Sequence, residues 1–175
     1  MTGETFAVRQ ATAGDADVIA RHRAAMFAEM HELAEDGALA LREKTTRYLR
    51  EAIASGEYVG FLASPSGRPE TIIAGAGAQV RNTLPHPRTP PGAMHGRQAI
   101  VLNVYTEPSW RSRGVAELLM RRVMAWAGEA GMHTLVLHAS DAGRPLYERL
   151  GFAATNEMRF TGRLDVPVPG PMEHT

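Results

Sequence analysis

The chain of 175 residues contains no cysteine, which excludes disulfide bonds, a thiol nucleophile and cysteine-ligated metal. It has one lysine, Lys44, against 18 arginines, and we read that first as a compositional bias of the source. Net charge is zero and the pI is about 7.1, which argues against a nucleic-acid partner, since such proteins carry a basic excess. No apolar run approaches membrane-spanning length, and the first residues form no apolar signal segment, so a cytoplasmic protein with no membrane partner is expected. Several chemical signatures are missing too. There is no Gly-x-x-x-x-Gly-Lys-Ser/Thr nucleotide loop. Ser112 has Trp110, not glycine, two positions before it, so it is no nucleophile elbow, and adjacent Ser140 and Asp141 make no triad. His31-Glu32 is followed by Glu35 where a zinc-protease motif needs its second histidine. His86 and His95 lie in a loop that does not fix them relative to each other, and no metal is expected.

What is present is organised around residues 99–131. Residues 99–106 are a near-continuous apolar run rich in β-branched side chains, as expected of a strand covered on both faces. Pro108 ends it. Residues 114–130 follow as a helix, with Val115, Leu118, Leu119, Val123 and Trp126 on one face and Gly131 suited to the C-terminal cap. Between strand and helix lies Arg111-Ser112-Arg113-Gly114-Val115-Ala116. A helix N-terminus offers unpaired N–H groups and the positive end of the dipole, a natural phosphate site. Gly114 would let backbone approach a ligand, Ala116 would not block it, and Arg111 and Arg113 add fork-shaped donors. The same residues also fit an ordinary basic turn.

Elsewhere, residues 6–11 alternate as a strand, and Thr12-x-x-Asp15 caps a helix over 15–30, with His22 on its apolar face as a core histidine. Residues 39–55 read as a second helix ended by Gly56. Residues 57–64 and 71–81 read as a hairpin, with Gly75 and Gly77 marking a bulge, a close approach or simple packing. Residues 82–98, with four prolines, form a long loop. Residues 133–139 are a buried strand, parallel to 99–106 because a helix joins them. A short helix over 144–150, begun by Pro145 and stopped by Gly151, leads to a final strand over 152–160. One domain over 1–162 and a Pro-rich tail over 163–175 are expected.

This order of elements resembles the GNAT superfamily of acyl-CoA N-acyltransferases. Three segments carry the resemblance in the family's order: LNVYTEP at 102–108 for its bulged central strand, residues 111–116 for its Arg/Gln-x-x-Gly-x-Gly/Ala loop, and LYERLGF at 146–152 for its Leu-Tyr-x-x-x-Gly-Phe segment. The resemblance implies a mixed α/β (α+β) fold with a mostly antiparallel sheet, a central parallel pair splayed at one end, and helices on both faces. It implies acetyl-CoA as co-substrate and acetyl transfer to a primary amine, a small molecule or a peptide, by direct attack in a ternary complex. The alternative is a non-catalytic module that keeps acyl-CoA as an effector. The backbone at Val104, Tyr105 and Thr106 would pair with the pantetheine arm, and the amides of Arg111, Ser112, Arg113, Gly114, Val115 and Ala116 would hold the pyrophosphate. Ser140 stands where the family often has an asparagine near the coenzyme. Tyr147 falls on the family's general acid.

Tyr147 also suits that task chemically. Acyl transfer to an amine expels a thiolate, and a phenol is protonated at neutral pH and able to donate to sulfur. The bland alternative is a core tyrosine. For the base, the central strand offers Asn103, which cannot act as one, and Glu107 at its exit; His138, near the end of the parallel strand, is a further candidate as an imidazole, and a water chain is the remaining route. An exposed final strand would let two chains pair as a homodimer.

Overall fold

Strict alternation along one strand sets up both sides of the molecule. In β2 (Tyr58–Pro65), Val59, Phe61 and Ala63 join one buried cluster while Tyr58 and Leu62 join another. The computed structural model describes residues 5–34, 36–84, 96–158 and 161. β2 pairs antiparallel with β1 (Phe6–Gln10) on one side and β3 (Ala74–Asn82) on the other. β3 pairs antiparallel with β4 (Arg97–Thr106), and β4 pairs in parallel with β5 (Thr134–Leu137). The result is a five-stranded mixed sheet in the order β1-β2-β3-β4-β5.

On one face lie α1 (Ala16–Glu29) and α2 (Gly37–Ser55), burying Ile19, Leu49 and Ala52 against Tyr58 and Leu62. α1 is preceded by a 3-10 turn in which the Asp15 carboxylate accepts the Thr12 N–H at 2.8 Å, the capping pair expected there. α2 ends at Gly56, whose φ of 78° is the left-handed cap glycine tolerates best. On the other face, α3 (Val115–Glu129) buries Val115, Leu119, Met120 and Val123 against Phe61 and Val101. Each of these side chains contributes roughly 1.5–3 kcal/mol on burial, so the sheet is firmly held on both sides. α4 (Arg144–Arg149) adds Leu146 and Tyr147 at the margin of that second cluster.

The expected loop over 82–98 is trimmed at both ends, since β3 reaches Asn82 and β4 starts at Arg97. Its residues 85–95, with His86 and His95, lie outside the described residues, as does the expected tail over 163–175. The strand expected over 152–160 does not form at 152–158, and 159–160 lie outside the described residues. A strand needs a partner edge, and among the described residues this segment pairs with none. The route to a homodimer through that strand loses its basis with it. Among the described residues no helix is long and apolar enough to cross a membrane.

Candidate active site

The site begins with an irregularity in β4. Gly75 faces Tyr105 and Gly77 faces Leu102, so Asn103 and Val104 together oppose Ala76. This is a β-bulge, and Asn103 sits in it at φ 58°, the left-handed region that asparagine accepts more readily than most residues. The bulge reverses the strand's alternation. Val101 packs on the α3 side and so does Val104, three positions on, whereas Asn103 and Tyr105 turn toward α1.

The same irregularity opens the sheet. β4 and β5 pair only from Gln98 with Thr134 to Val101 with Leu137. β5 then ends, and β4 continues to Thr106 with no partner in β5. The gap widens into a cleft of about 980 Å³. Val104, Tyr105 and Thr106 form one wall; Arg111, Ser112, Gly114, Val115 and Ala116 form its end; Ser140 and Tyr147 face them across it. The two separate motif stretches and the short helix are therefore brought to one place.

The loop turns through two left-handed residues into the start of α3. Ser112 and Gly114 have φ of 59° and 79°, and Gly114 caps α3. The first bond of α3 runs from Leu118 N–H to the Gly114 carbonyl at 3.0 Å, and the preceding amides of Val115 and Ala116 have no carbonyl partner among the described residues. A Cβ built on Gly114 would meet nothing within 4 Å, so its backbone is open to an approaching group.

The arginine side chains do other work. Arg111 donates through Nε to the Thr106 carbonyl at 2.9 Å and through Nη2 to both oxygens of Glu29 at 2.8 and 2.7 Å. Arg113 lies over the Trp110 ring and donates to the Ser109 carbonyl at 3.1 Å. Both brace the loop by their side chains. Ser140 braces α4, with its carbonyl accepting the Gly143 and Arg144 N–H groups and its hydroxyl the Gly143 N–H at 3.3 Å.

Tyr147 is half-buried on the cleft wall, with its ring 6.1 Å from Phe152 and close beside Gly143, where a Cβ would come within 2.8 Å of it. Burial raises its pKa, and no charged neighbour contributes. His138 lines the cleft, exposed, with Nε2 3.0 Å from Glu157. Glu107 points elsewhere: it holds Arg21 at 2.6 Å and His22 at 3.3 Å. His22 is buried, as expected of a core histidine, and its pKa is pushed down to about 4 by burial and Arg21, against the pull of Glu107.

Two site residues escape sequence reading. Arg23 of α1 donates to Asn103 Oδ1 at 2.6 Å, and Asn103 donates in turn to the buried Tyr58 hydroxyl at 3.1 Å. Gly77 is glycine for this reason: a Cβ there would lie 2.1 Å from the Tyr58 hydroxyl. Glu29, at the end of α1, accepts from both Arg111 and Tyr105. Neither stands in a local motif, and no signal in the linear sequence marks either. Among the described residues no cluster of three or more His, Asp or Glu side chains is placed to hold a metal.

A β-bulge, a parallel pair that parts after four residues, and a helix-capping glycine loop at the mouth of the gap define an acyltransferase of a particular architecture. The chain belongs to the GNAT acetyltransferase family, whose model matches residues 20–152. It is similar over 89% of its length to 97% of a GCN5-related N-acetyltransferase from Ralstonia eutropha, with 33% identity and a TM-score of 0.77. It is also similar to an acetyltransferase from Clostridium acetobutylicum solved with acetyl-CoA, at 25% identity and a TM-score of 0.77, covering 90% of this chain and 96% of that one. An aminoglycoside N-acetyltransferase solved with CoA shares the fold at 21% identity and a TM-score of 0.61, over 93% of this chain and 97% of that one. No curated protein matches the chain.

Proposed function

We propose that the protein transfers the acetyl group of acetyl-CoA to a primary amine, with the amine attacking directly while both substrates share the cleft. The observation that carries this is the parting of β4 from β5 after Val101 and Leu137. It leaves the Val104–Thr106 backbone unpaired with β5 on a cleft that also holds the open α3 amides and Tyr147. An extended amide-bearing arm suits such an edge, because it completes the missing ladder. A diphosphate suits the amides of Gly114, Val115 and Ala116. The space over Gly114 is open to it.

In this reading the new C–N bond forms as the C–S bond breaks, and Tyr147 donates its proton to the departing sulfur. Burial keeps its phenol protonated through neutral pH. The amine's proton leaves through the open cleft to water, since the Glu29 carboxylate and the His138 ring are both already paired. The test is thiol release from acetyl-CoA against a panel of amines. Turnover supports the transferase; tight CoA binding without turnover on any amine would favour the alternative, a module that holds acyl-CoA without acting on it.

A further inference from the structure

The α1 face that lines the cleft carries Arg23, Met26, Phe27 and Met30, at positions i, i+3, i+4 and i+7. One cation is followed by three apolar side chains, the last of them at the cap of α1, and the acidic Glu29 and Glu32 line the cleft at the far end. Arg23 is half-buried, its guanidinium stacked 4.7 Å from the centre of the Phe27 ring and fixed by its bond to Asn103. Among the described residues no carboxylate pairs with it. The other arginine lining the mouth on this side, Arg111, has its carboxylate in Glu29. A guanidinium drawn out of water without a counter-ion is costly, and a planar fork with free N–H groups matches a carboxylate. Its bond to Asn103 also places it beside the residue that precedes Val104, where the sheet opens.

We propose that Arg23 receives a carboxylate carried by the acceptor, so that the substrate class is an amine that also bears a carboxylate and an apolar body, such as a free apolar amino acid. The carboxylate lies on Arg23, the apolar body lies along Met26, Phe27 and Met30, and the amine is directed toward Val104 and Tyr105. This rests on the transferase reading above and names its acceptor. Desolvation lowers the Arg23 pKa, in keeping with a site that lacks its anion.

The experiment measures thiol release by the full chain with L-methionine and L-phenylalanine, beside their carboxamides and the matching decarboxylated amines. The carboxamides are the less basic amines, so without recognition of the carboxylate they would react faster. Wild type should favour the acids by at least about tenfold in kcat/KM. Arg23→Met should abolish that preference through KM, leaving the amides used at least as well as the acids, while CoA affinity stays unchanged. Arg23→Lys, which keeps a charge and a donor for Asn103, should retain part of the preference and guards against a folding defect. Equal use of acids and amides by wild type would overturn the proposal and leave the transferase reading standing. So would an Arg23→Met variant that loses both substrates alike, which is the mark of a purely structural arginine. If no amine turns over, calorimetry of L-methionine with the CoA-loaded protein decides the point. Binding that is lost in Arg23→Met supports the carboxylate site although transfer has failed, and absence of binding in wild type overturns it.

Discussion

Nη2 of Arg111 lies 2.8 and 2.7 Å from the two oxygens of Glu29, joining the end of α1 to the start of the loop that caps α3. Glu29 also accepts the Tyr105 hydroxyl at 3.1 Å, so one carboxylate ties together a helix, the strand wall and the loop. Both partners are more than 40% exposed, at 43% and 44%, so the pair contributes at most about 1 kcal/mol to stability. Its importance is positional.

A double-mutant cycle on that pair separates bracing from direct contact. If Arg111 acts by bracing the loop, Arg111→Ala and Glu29→Ala should each weaken CoA binding by roughly threefold, and the double mutant should be no worse than either. Titration calorimetry reads all four corners. Opposite signs for the two single mutants would show that the Arg111 charge reaches the phosphate itself.

Tyr147→Phe removes one oxygen and leaves the ring against Gly143 and Phe152. kcat should fall by roughly 10² to 10⁴, with acetyl-CoA affinity nearly unchanged. The sign of the pH dependence follows from burial. The phenol pKa is raised, so its ionisation sets in at higher pH than that of an ordinary tyrosine, and no decline in kcat near neutrality should come from this residue. A phenylalanine variant with wild-type kcat, with chemistry shown to limit the rate, would reduce Tyr147 to a packing residue.

Gly114→Val has room for its side chain but not the right backbone. The cost arises from φ 79°, at roughly 1–2 kcal/mol, and not from a clash within the protein. The variant should fold with a melting temperature a few degrees lower and lose CoA affinity by about tenfold or more. A folded variant with unchanged affinity would remove the loop from the coenzyme site.

His22 should make the protein sensitive to mild acid. It is 1% exposed, and its Nδ1 has no hydrogen-bond partner among the described residues. Its folded pKa of about 4 lies below the ordinary 6.5, so its contribution is complete above pH 6.5 and is lost as pH falls through 4. The loss amounts to about 3 kcal/mol over that window. Urea unfolding at pH 7, 5.5 and 4 should show a steep fall for wild type and a flatter one for His22→Gln. Parallel slopes would show that the ring is not titrating there.

The long, strongly periodic elements were legible in the chain. β4 spans Arg97–Thr106 where the apolar run marks 99–106, and α3 spans Val115–Glu129 where the helical period marks 114–130. The loop at 111–116 was legible for a related reason: its residues are contiguous, so their spacing is visible without a fold. Arg23 and Asn103 are 80 positions apart and meet only because α1 packs beside the bulge. Glu29 and Arg111 are 82 apart. No local pattern encodes such meetings. The Gly75 and Gly77 pair shows an intermediate case. Glycine in a strand signals something close by, but that the neighbour of Gly77 is the Tyr58 hydroxyl emerges only in three dimensions. Residues 152–158 mark the opposite limit, where the chain order after α4 leads one to expect a strand and no partner strand meets it among the described residues.

Among the described residues β5 is a ladder of four residue pairs on a single neighbour, and all of its residues are at least partly exposed. β2, by contrast, is buried along its whole length between two neighbours. The protein therefore has a hard centre and a soft flank, and α4 with Tyr147 hangs from the soft flank. Amide exchange should run fastest there, through local opening that dismantles the site while the centre stays folded. A guest that threads between β4 and β5 would act as mortar. It would slow exchange at 134–137 more than anywhere in β2, so that loading the cleft and closing the fold become one event.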